Sequence, residues 1–586
     1  MSARRHPIAL AALVALSGCA LSGCGLSIDE PPSAPSNTCG SDGECGANRR
    51  CHPELHLCYA EPAEAYAYTV QVVLPASADE GRPALVTAAG PLSASRGDAS
   101  AELLVRHPVP VVGSVRVEGT PIEADVIFAP RARTIVPTSP RVAVSTPGLA
   151  ALGGGTTPRE HDFATYLVPG TTYDVEVRPR GSDARRLAPF RHVLELDQPQ
   201  RHDITLRAPA DHFRLAGTLV DLDGRGQGGL EVRAIDASGR LVSSIATTTT
   251  VEGVPGHFEL FVDPEVTGWV LRVSAAPGAG ERAAFPTITV DPSALVYEGP
   301  VDDPLVRVLV PSPESGVCFA GTVEHPAELG GGPALGATIT LRSRALRADA
   351  TGLAGSYSIQ LTSDPGATGA DLRPIGCSLA PLPPGGFQVR VLPGEYDLEV
   401  RPIEPMLGVH LEHRTIEDDT VGPVIELPAR GTLSGMMQRS AGEPVFDARV
   451  RAVPLNVELP GRRTYEAARL NRPNETITDP HGNFRLPLDV GVYDLIAEPP
   501  EGSGFPWVVR PAFAMAAREW TEVIDVRQPI IVRGSATYDD GTPVAGAELS
   551  AYAVVGEPGA ERPVPIGRAV TDEHGEYVLL LPVEPR

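Results

Sequence analysis

Alternation of apolar and polar positions dominates this chain and predicts β-strands along most of its length. The stretch 532–581 shows the pattern most clearly. An Asp-Asp-Gly turn, a Pro-Val-x-Gly-Ala segment and an Asp-x-x-Gly turn separate its alternating segments, the last of which begins at Tyr577. Because Gly and Asp tolerate tight or left-handed backbone and Pro presets φ, these residues predict turns between antiparallel strands.

The same pattern recurs at a regular period. The glycines that open each repeat are Gly113, Gly217, Gly321, Gly431 and Gly534, which lie 104, 104, 110 and 103 residues apart. Four repeats also have a closing strand in which an aromatic residue is followed by alternating Val or Leu, at Tyr173, Trp269, Tyr396 and Tyr493. A period of this size predicts a tandem array of small β-domains.

The order of these motifs, G-x-V, then G-x-P-V-x-G-A, then D-x-x-G-x-Y/F, then G-x-Y-D-L, resembles the carboxypeptidase regulatory-like domain. The likeness covers about 111–581 in five copies, of which the fourth (Thr478-Asp479, Phe484) and fifth (Thr571-Asp572, Tyr577) match best. It implies a transthyretin-like, prealbumin-type β-sandwich. It also implies a non-catalytic module, in a superfamily with starch- and glycan-binding members.

The predicted fold class is therefore all-β, an array of small antiparallel β-sandwiches of the carboxypeptidase regulatory-like or Ig-like kind. The predicted segments are a lipoprotein signal peptide (1–23), a flexible tether (24–37), a Cys-rich module (38–60), a partial β unit (61–110) and repeats at 111–210, 211–314, 315–428, 429–527 and 528–586.

The two ends of the array are unequal. Residues 61–110 contain a closing strand near Tyr68 and a partner strand near Ala101, whereas 528–586 lacks a closing strand. One explanation is a truncated reading frame. The other is an open sheet edge that accepts a strand from a partner, because unpaired backbone groups template strand pairing.

The composition disfavours some classes of binding partner. The chain contains no lysine, and its net charge of −24 disfavours binding to nucleic acid or to an anionic membrane through protein charge. An acidic balance of this kind fits an extracytoplasmic protein.

The N-terminus predicts a membrane anchor. Arg4 and Arg5 precede an apolar run, 8–16, that is too short to span a bilayer. Leu-Ser-Gly-Cys then occurs twice, ending at Cys19 and at Cys24, and each copy resembles the bacterial lipobox, in which the cysteine is acylated. The short apolar run favours Cys19. Cysteine parity favours Cys24, because six cysteines then remain to pair.

Four further cysteines, Cys39, Cys45, Cys51 and Cys58, lie within twenty residues. They show no Cys-x-x-Cys spacing, so two disulfides are expected rather than a zinc site, with three connectivities open. Cys318 and Cys377 are predicted to pair, closing a loop near sixty residues that contributes roughly 4 kcal/mol in the chain-entropy model.

No catalytic constellation emerges, and no cofactor or metal is expected. His192-x-x-Glu195 has zinc-ligand spacing but lies on a predicted strand, with no convincing third ligand and no enzymatic α/β pattern. His410 and His413 also lie on a predicted strand, where an odd spacing of three sends their side chains to opposite faces. Asp221-x-Asp223-Gly224 resembles the start of a calcium loop but falls at a predicted turn.

Trp507 and Trp520 flank a predicted hairpin and are the candidates for a ligand-binding face, with core packing as the alternative. The prediction is a non-enzymatic lipoprotein, anchored by acyl chains in the outer membrane of a Gram-negative bacterium and facing the periplasm or the exterior. Its array would be a stalk that binds a glycan or a protein. The alternative is a structural spacer that holds a partner protein off the membrane.

Overall fold

The fold is all-β. The computed structural model describes residues 37–45, 49–60, 65–77, 82, 84–94, 98–131, 142–145, 162–221, 223–276, 287–291, 295–298, 305–310, 316–346, 355–363, 382–439, 442–455, 472–556 and 561–584. Within these ranges the helices are single 3₁₀ turns, at Asp42–Glu44, Asp183–Arg185, Pro209–Asp211 and Ala327–Leu329. None of the described helices is long and apolar enough to cross a membrane.

The described strands form an N-terminal group, four units numbered in chain order, and a C-terminal group. The N-terminal strands are β1 (Arg50–Cys51), β2 (Cys58–Tyr59), β3 (Tyr66–Leu74), β4 (Leu85–Ala94) and β5 (Asp98–Val105). Unit 1 contains β6 (Val109–Val117), β7 (Thr120–Pro121), β8 (Ala124–Pro130), β9 (Val142–Ser145), β10 (Asp162–Leu167), β11 (Thr171–Pro179), β12 (Phe190–Leu196), β13 (Gln200–Arg201) and β14 (Ile204–Leu206). Unit 2 contains β15 (Phe213–Val220), β16 (Leu230–Ile235), β17 (Ala246–Thr247), β18 (Thr249–Val251), β19 (Val254–Val262), β20 (Val270–Ala275), β21 (Thr287–Val290), β22 (Val296–Glu298) and β23 (Leu305–Leu309).

The series continues with three more groups. Unit 3 contains β24 (Val317–Glu324), β25 (Thr338–Leu346), β26 (Gly355–Thr362), β27 (Gly386–Val391), β28 (Gly394–Arg401), β29 (His410–Ile416) and β30 (Thr420–Glu426). Unit 4 contains β31 (Gly431–Arg439), β32 (Arg449–Pro454), β33 (Asn474–Ile477), β34 (Asn483–Leu488), β35 (Gly491–Glu498), β36 (Val508–Met515) and β37 (Glu519–Val526). The C-terminal strands are β38 (Ile530–Tyr538), β39 (Glu548–Val555), β40 (Arg562–Val570) and β41 (Glu576–Leu581).

Unit 4 shows the common topology. Naming its seven strands A to G in chain order, one sheet has the order D-A-G (β34-β31-β37) and the other has the order C-B-E-F (β33-β32-β35-β36). Strand A pairs antiparallel with D and parallel with G. Units 1, 2 and 3 repeat this arrangement, with extra short strands in units 1 and 2.

The fifth unit is assembled from both ends of the described chain. The C-terminal strands β38 to β41 supply A to D, and β3, β4 and β5 supply E, F and G. Strand β3 pairs antiparallel with β39 from Tyr68↔Ala553 to Val73↔Glu548, and β5 runs parallel to β38 from Asp98↔Ile531 to Val105↔Tyr538. We call this sandwich unit 5.

This assembly corrects two expectations. Residues 61–110 are not a separate partial unit, because their strands complete the sandwich begun by 528–586. The edge expected to accept a partner's strand is filled by the chain's own β3 and β5. The missing closing strand is therefore present, at the opposite end of the sequence.

The expected stalk is also wrong. Only residues 106–108 separate β5 from β6 of unit 1, and only 527–529 separate β37 of unit 4 from β38. Both ends of the run of units 1 to 4 thus attach to unit 5, and the five sandwiches form a closed circuit.

Each joint of the circuit has direct contacts. Units 5 and 1 share one apolar core, and β21 of unit 2 pairs with β26 of unit 3 in a continuous eight-stranded sheet. The Arg191 side chain donates to Leu241 O at 3.0 Å between units 1 and 2. Arg430, between units 3 and 4, lies 2.9 Å from Asp489, and Arg562 of unit 5 forms an ion pair with Asp494 of unit 4.

A glycine in strand A permits the close parallel approach of strand G. A Cβ on Gly534 would overlap Ala101 O of β5, and a Cβ on Gly113, Gly217 or Gly321 would overlap a carbonyl of its own strand G in the same way. In unit 4 the equivalent glycine is Gly435, whose Cβ would overlap Glu522 O. The sequence-based choice of Gly431 is therefore four residues too early.

The aromatic residue of strand E closes the turn that precedes it. Tyr493 Oη donates to Asp489 O at 2.7 Å, and Tyr173 Oη donates to Val168 O at 3.1 Å. Tyr396 Oη bonds to Leu392 O in the same way. Trp269 replaces the tyrosine in unit 2 and packs, partly buried, against the core that units 2 and 3 share.

Candidate functional site

The candidate binding site is a cleft at the joint between units 4 and 5. Its volume is about 500 Å³. Its walls come from the E–F hairpin of unit 4, the linker into unit 5 and the end of β41. The lining residues are Pro506, Trp507, Val508, Val509, Arg510, Phe513, Asp525, Arg527, Pro582, Val583 and Glu584.

Trp507 contributes to both the cleft and the adjoining core. It lies just before β36, and it packs partly buried against the apolar cluster that includes unit 5. The guanidinium of Arg451 lies 5.5 Å from its ring centroid, a distance at which a cation is attracted to an aromatic face. The half-buried Trp507 side chain therefore packs against the core on one side and lines the cleft on the other.

Trp520 flanks the cleft without lining it. Its side chain on β37 is 37% exposed, and its ring meets Phe513 edge-to-face at 6.3 Å. Its Nε1 donates to Glu522 at 3.3 Å. Because Phe513 lines the cleft together with Trp507, the structure brings both predicted tryptophans to one region.

Charged groups surround the aromatic wall. Arg510 forms an ion pair with Glu522 and donates to Val523 O at 2.9 Å, and burial lowers the pKa of Arg510. Arg527 and Glu584 approach each other to 3.9 Å. An apolar aromatic wall with polar groups at its rim can bind a ligand by stacking and orient it by hydrogen bonds.

Sequence reasoning missed most of this cleft. Phe513 lies on β36, between the two tryptophans in sequence, so its aromatic character was the available signal. Pro582 and Glu584 are distant in sequence and reach the cleft only because unit 5 packs on unit 4, for which no local motif exists.

The Cys-rich module docks beside the cleft. Asn37 N donates to Ser503 O at 2.7 Å and its side chain donates to Gly504 O at 3.0 Å, in the hairpin that ends at Trp507. Glu54 pairs with Arg533 of β38 at 2.5 Å. The module thus contacts both units that form the cleft.

The disulfide pattern of the module is Cys39–Cys51 and Cys45–Cys58, with Cα–Cα distances of 5.9 and 5.3 Å. These bonds choose one of the three connectivities that the sequence left open. Although sulfurs of Cys39, Cys45 and Cys58 lie within 4.8 Å of one another, each belongs to a disulfide rather than to a free thiolate, the form that binds zinc.

The other four cysteines lie outside the Cys-rich module. Cys318 takes part in a disulfide. Its predicted partner Cys377 lies outside the described residues, as do the lipobox cysteines Cys19 and Cys24.

The histidine motifs lie on strands and the aspartate motif forms a turn, as the sequence predicted. His410 pairs with Glu412 at 3.3 Å, whereas His413 lies 3.8 Å from Glu395. The Oδ1 atom of Asp221 accepts hydrogen bonds from Asp223 N and Arg225 N, the arrangement of a turn. His192 does not face Glu195, and its Nε2 lies 2.6 Å from Nε2 of His202 instead.

A second cleft, of about 820 Å³, lies at the joint between units 3 and 4. Arg518 of unit 4 lies 3.8 Å from Glu328 of unit 3, and His410 and Glu426 contribute to its lining. Its rim mixes both charges without an aromatic wall among the described lining residues, so the first cleft is the better candidate for binding.

Comparisons with known proteins give no family. No protein-family model and no curated protein matches the chain. Among solved structures, the Bacillus anthracis TIE protein is 9% identical, covers 70% of this chain and 69% of its own, and has a TM-score of 0.16. The minor pilin GBS52 of Streptococcus agalactiae is 13% identical over 36% of this chain and 96% of its own, with a TM-score of 0.21.

The pilus adhesin SpaC of Lactobacillus rhamnosus GG is 7% identical over 79% of this chain and 56% of its own, with a TM-score of 0.16. At such scores these likenesses carry no argument about function. The site itself therefore has to support the functional interpretation.

Proposed function

We propose that this chain is a non-enzymatic envelope lipoprotein, a closed scaffold of carboxypeptidase regulatory-like sandwiches that binds its ligand in the cleft at Trp507. The observation that supports it is the aromatic wall formed by Trp507 and Phe513 where two units meet. The ligand is a glycan or a protein, since both offer apolar faces that stack on indole and polar groups that pair with the charged rim.

An acyl anchor would place this cleft close to the membrane. The two disulfides of the Cys-rich module fit an oxidising compartment, which supports export. From Cys24 to Asn37 a fully extended chain spans at most about 45 Å. Because Asn37 is bonded to the hairpin that ends at Trp507, the cleft would stay within reach of the outer membrane in this proposal.

Anchoring is tested by intact mass and fractionation of the protein from its native membrane. We expect an acylated Cys24, six hydrogens gained on reduction, and loss of membrane association in Cys24→Ser but not in Cys19→Ser. The reverse result assigns the anchor to Cys19. Unmodified protein in both variants contradicts the anchor while leaving the cleft proposal to its own test.

Ligand binding is tested on glycan and protein arrays with the full chain. Trp507→Ala should reduce binding roughly fivefold or more, since truncating an aromatic anchor of a binding site typically costs more than about 1 kcal/mol. Trp520→Ala should have a smaller effect, because Trp520 reaches the cleft only through Phe513. Trp269→Phe, in unit 2, is the matched control. Equal binding by wild type and Trp507→Ala would reject this cleft as the site.

The closed circuit supports a second candidate, a spacer or assembly subunit that holds a partner protein off the membrane. A circuit tied at every joint resists bending more than a linear array of the same units. Stable co-purification of one protein, unaffected by Trp507→Ala, would favour this function.

A further inference from the structure

We propose that His192 and His202 form a two-imidazole site for a divalent transition-metal ion, with Cu²⁺ as the tightest binder. The pair lies in unit 1, whereas the Trp507 cleft lies at the joint between units 4 and 5. His192 is on β12, and His202 directly follows β13. Neither the His192-x-x-Glu195 motif nor any other local spacing predicts the pair.

The geometry brings the Nε2 atoms of the two rings together. The Nε2 atoms lie 2.6 Å apart and the ring centroids 4.9 Å apart, with 31° between the ring planes. At this distance one imidazole donates its Nε2–H to the other. Two nitrogens on one metal ion, each about 2.0–2.1 Å from it, are separated by about 3 Å, so small ring movements would admit the ion.

The neutral form of imidazole is the state that binds a metal. Burial, and secondarily the neighbouring His202, lowers the pKa of His192 to about 4. Burial also lowers the pKa of His202, although Asp203 opposes this shift.

The neighbouring charges are already engaged elsewhere. Arg201 pairs with Asp162 and Asp203, and Asp203 also accepts from Ser114. Arg191 is bonded to Glu176 and to Leu241 O. Both histidines are only partly buried, so solvent molecules could complete the coordination of an ion held by the two imidazoles.

One feature limits the affinity. With Nε2 on the metal, the remaining proton of His192 moves to Nδ1, which is buried and has no hydrogen-bond partner among the described atoms. Metal-bound histidines usually donate this proton to an acceptor. We therefore expect a dissociation constant on the order of micromolar, with Cu²⁺ ahead of Ni²⁺ and Zn²⁺ in the usual order of divalent ions.

The test is titration of the full chain, without a histidine tag, with Cu²⁺, followed by electron paramagnetic resonance. We expect one Cu²⁺ bound with two imidazole nitrogens. His192→Gln and His202→Gln should each weaken binding at least tenfold, while their amide side chains can still donate a hydrogen bond to the remaining imidazole.

His574→Gln, which changes an exposed histidine in unit 5, is the control and should leave Cu²⁺ binding unchanged. A cooperative thermal unfolding transition, measured in the presence of a chelator, verifies that the variants are folded. A wild-type spectrum with a single nitrogen ligand, or Cu²⁺ affinity unaffected by both substitutions, overturns the proposal and leaves the pair as a hydrogen bond between imidazoles. The wild-type spectrum decides even if a variant fails to fold.

Discussion

Gly534→Ala is expected to loosen unit 5 and thereby open the circuit. The added Cβ would overlap Ala101 O in β5 and lie 2.8 Å from Oη of Tyr577. Tyr577 itself donates to Ala101 O at 2.9 Å, so the substitution disturbs both contacts at this point. Because backbone atoms of the parallel pair cannot give way cheaply, we expect a loss of about 3 kcal/mol or more in the free energy of unfolding.

Hydrogen exchange would locate the effect. In Gly534→Ala, the amides of β3 and β5 should lose protection together, although these strands lie more than 400 residues from the substitution. Gly541→Ala is the matched control in the same unit. Gly541 has φ +84° and no atom within 4 Å of an added Cβ, so its replacement should cost only about 1–2 kcal/mol of left-handed backbone energy. Unchanged protection of β5 in Gly534→Ala would contradict the closure by β5.

Arg430→Ala is expected to weaken the joint between units 3 and 4. The Arg430 side chain is 2% exposed, and it lies 2.9 Å from the Asp489 carboxylate and donates to Pro405 O and Arg472 O. Burial, opposed by the nearby arginines, raises the pKa of Asp489, and removing Arg430 would leave this carboxylate with less compensation. Loss of one partner of a buried ion pair typically costs about 3–5 kcal/mol.

Denaturant unfolding of the variant would measure this loss. Arg518→Ala is the control at the same joint, because Arg518 is 66% exposed and lies 3.8 Å from an exposed Glu328. Exposed pairs contribute at most about 1 kcal/mol, so this change should be nearly neutral. Similar unfolding curves for Arg430→Ala and wild type would show that the joint does not depend on the buried pair.

The turns could be predicted from the local sequence. The Asp-x-x-Gly segments form turns in which the aspartate accepts backbone N–H groups, as at Asp479 and Asp572. The tyrosines of the closing strands lie in strand E and bond back to the preceding turn. These features depend on residues a few positions apart, so their sequence pattern is sufficient.

Assigning the opening glycine of unit 4 required a spacing that the sequence did contain. Gly435 precedes the turn glycine Gly442 by seven residues, the same separation as from Gly534 to Gly541, whereas Gly431 does not. The steric reason is visible only in the structure, where strand G approaches Gly435. The Trp507 cleft and the His192–His202 pair likewise depend on how separate strands meet.

By itself, the sequence determined an all-β chain of repeated units, because alternation, turn residues and period are local or repetitive signals. Export of the cysteine-rich N-terminus stays a prediction. The tertiary structure decided that β3 to β5 complete the last unit, that the units close into a circuit rather than extend as a stalk, and which side chains share a cleft. The physical reason is that strand pairing at long sequence separation is specified by shape and packing over whole sheets. No short motif records which end of the chain will fill an open edge.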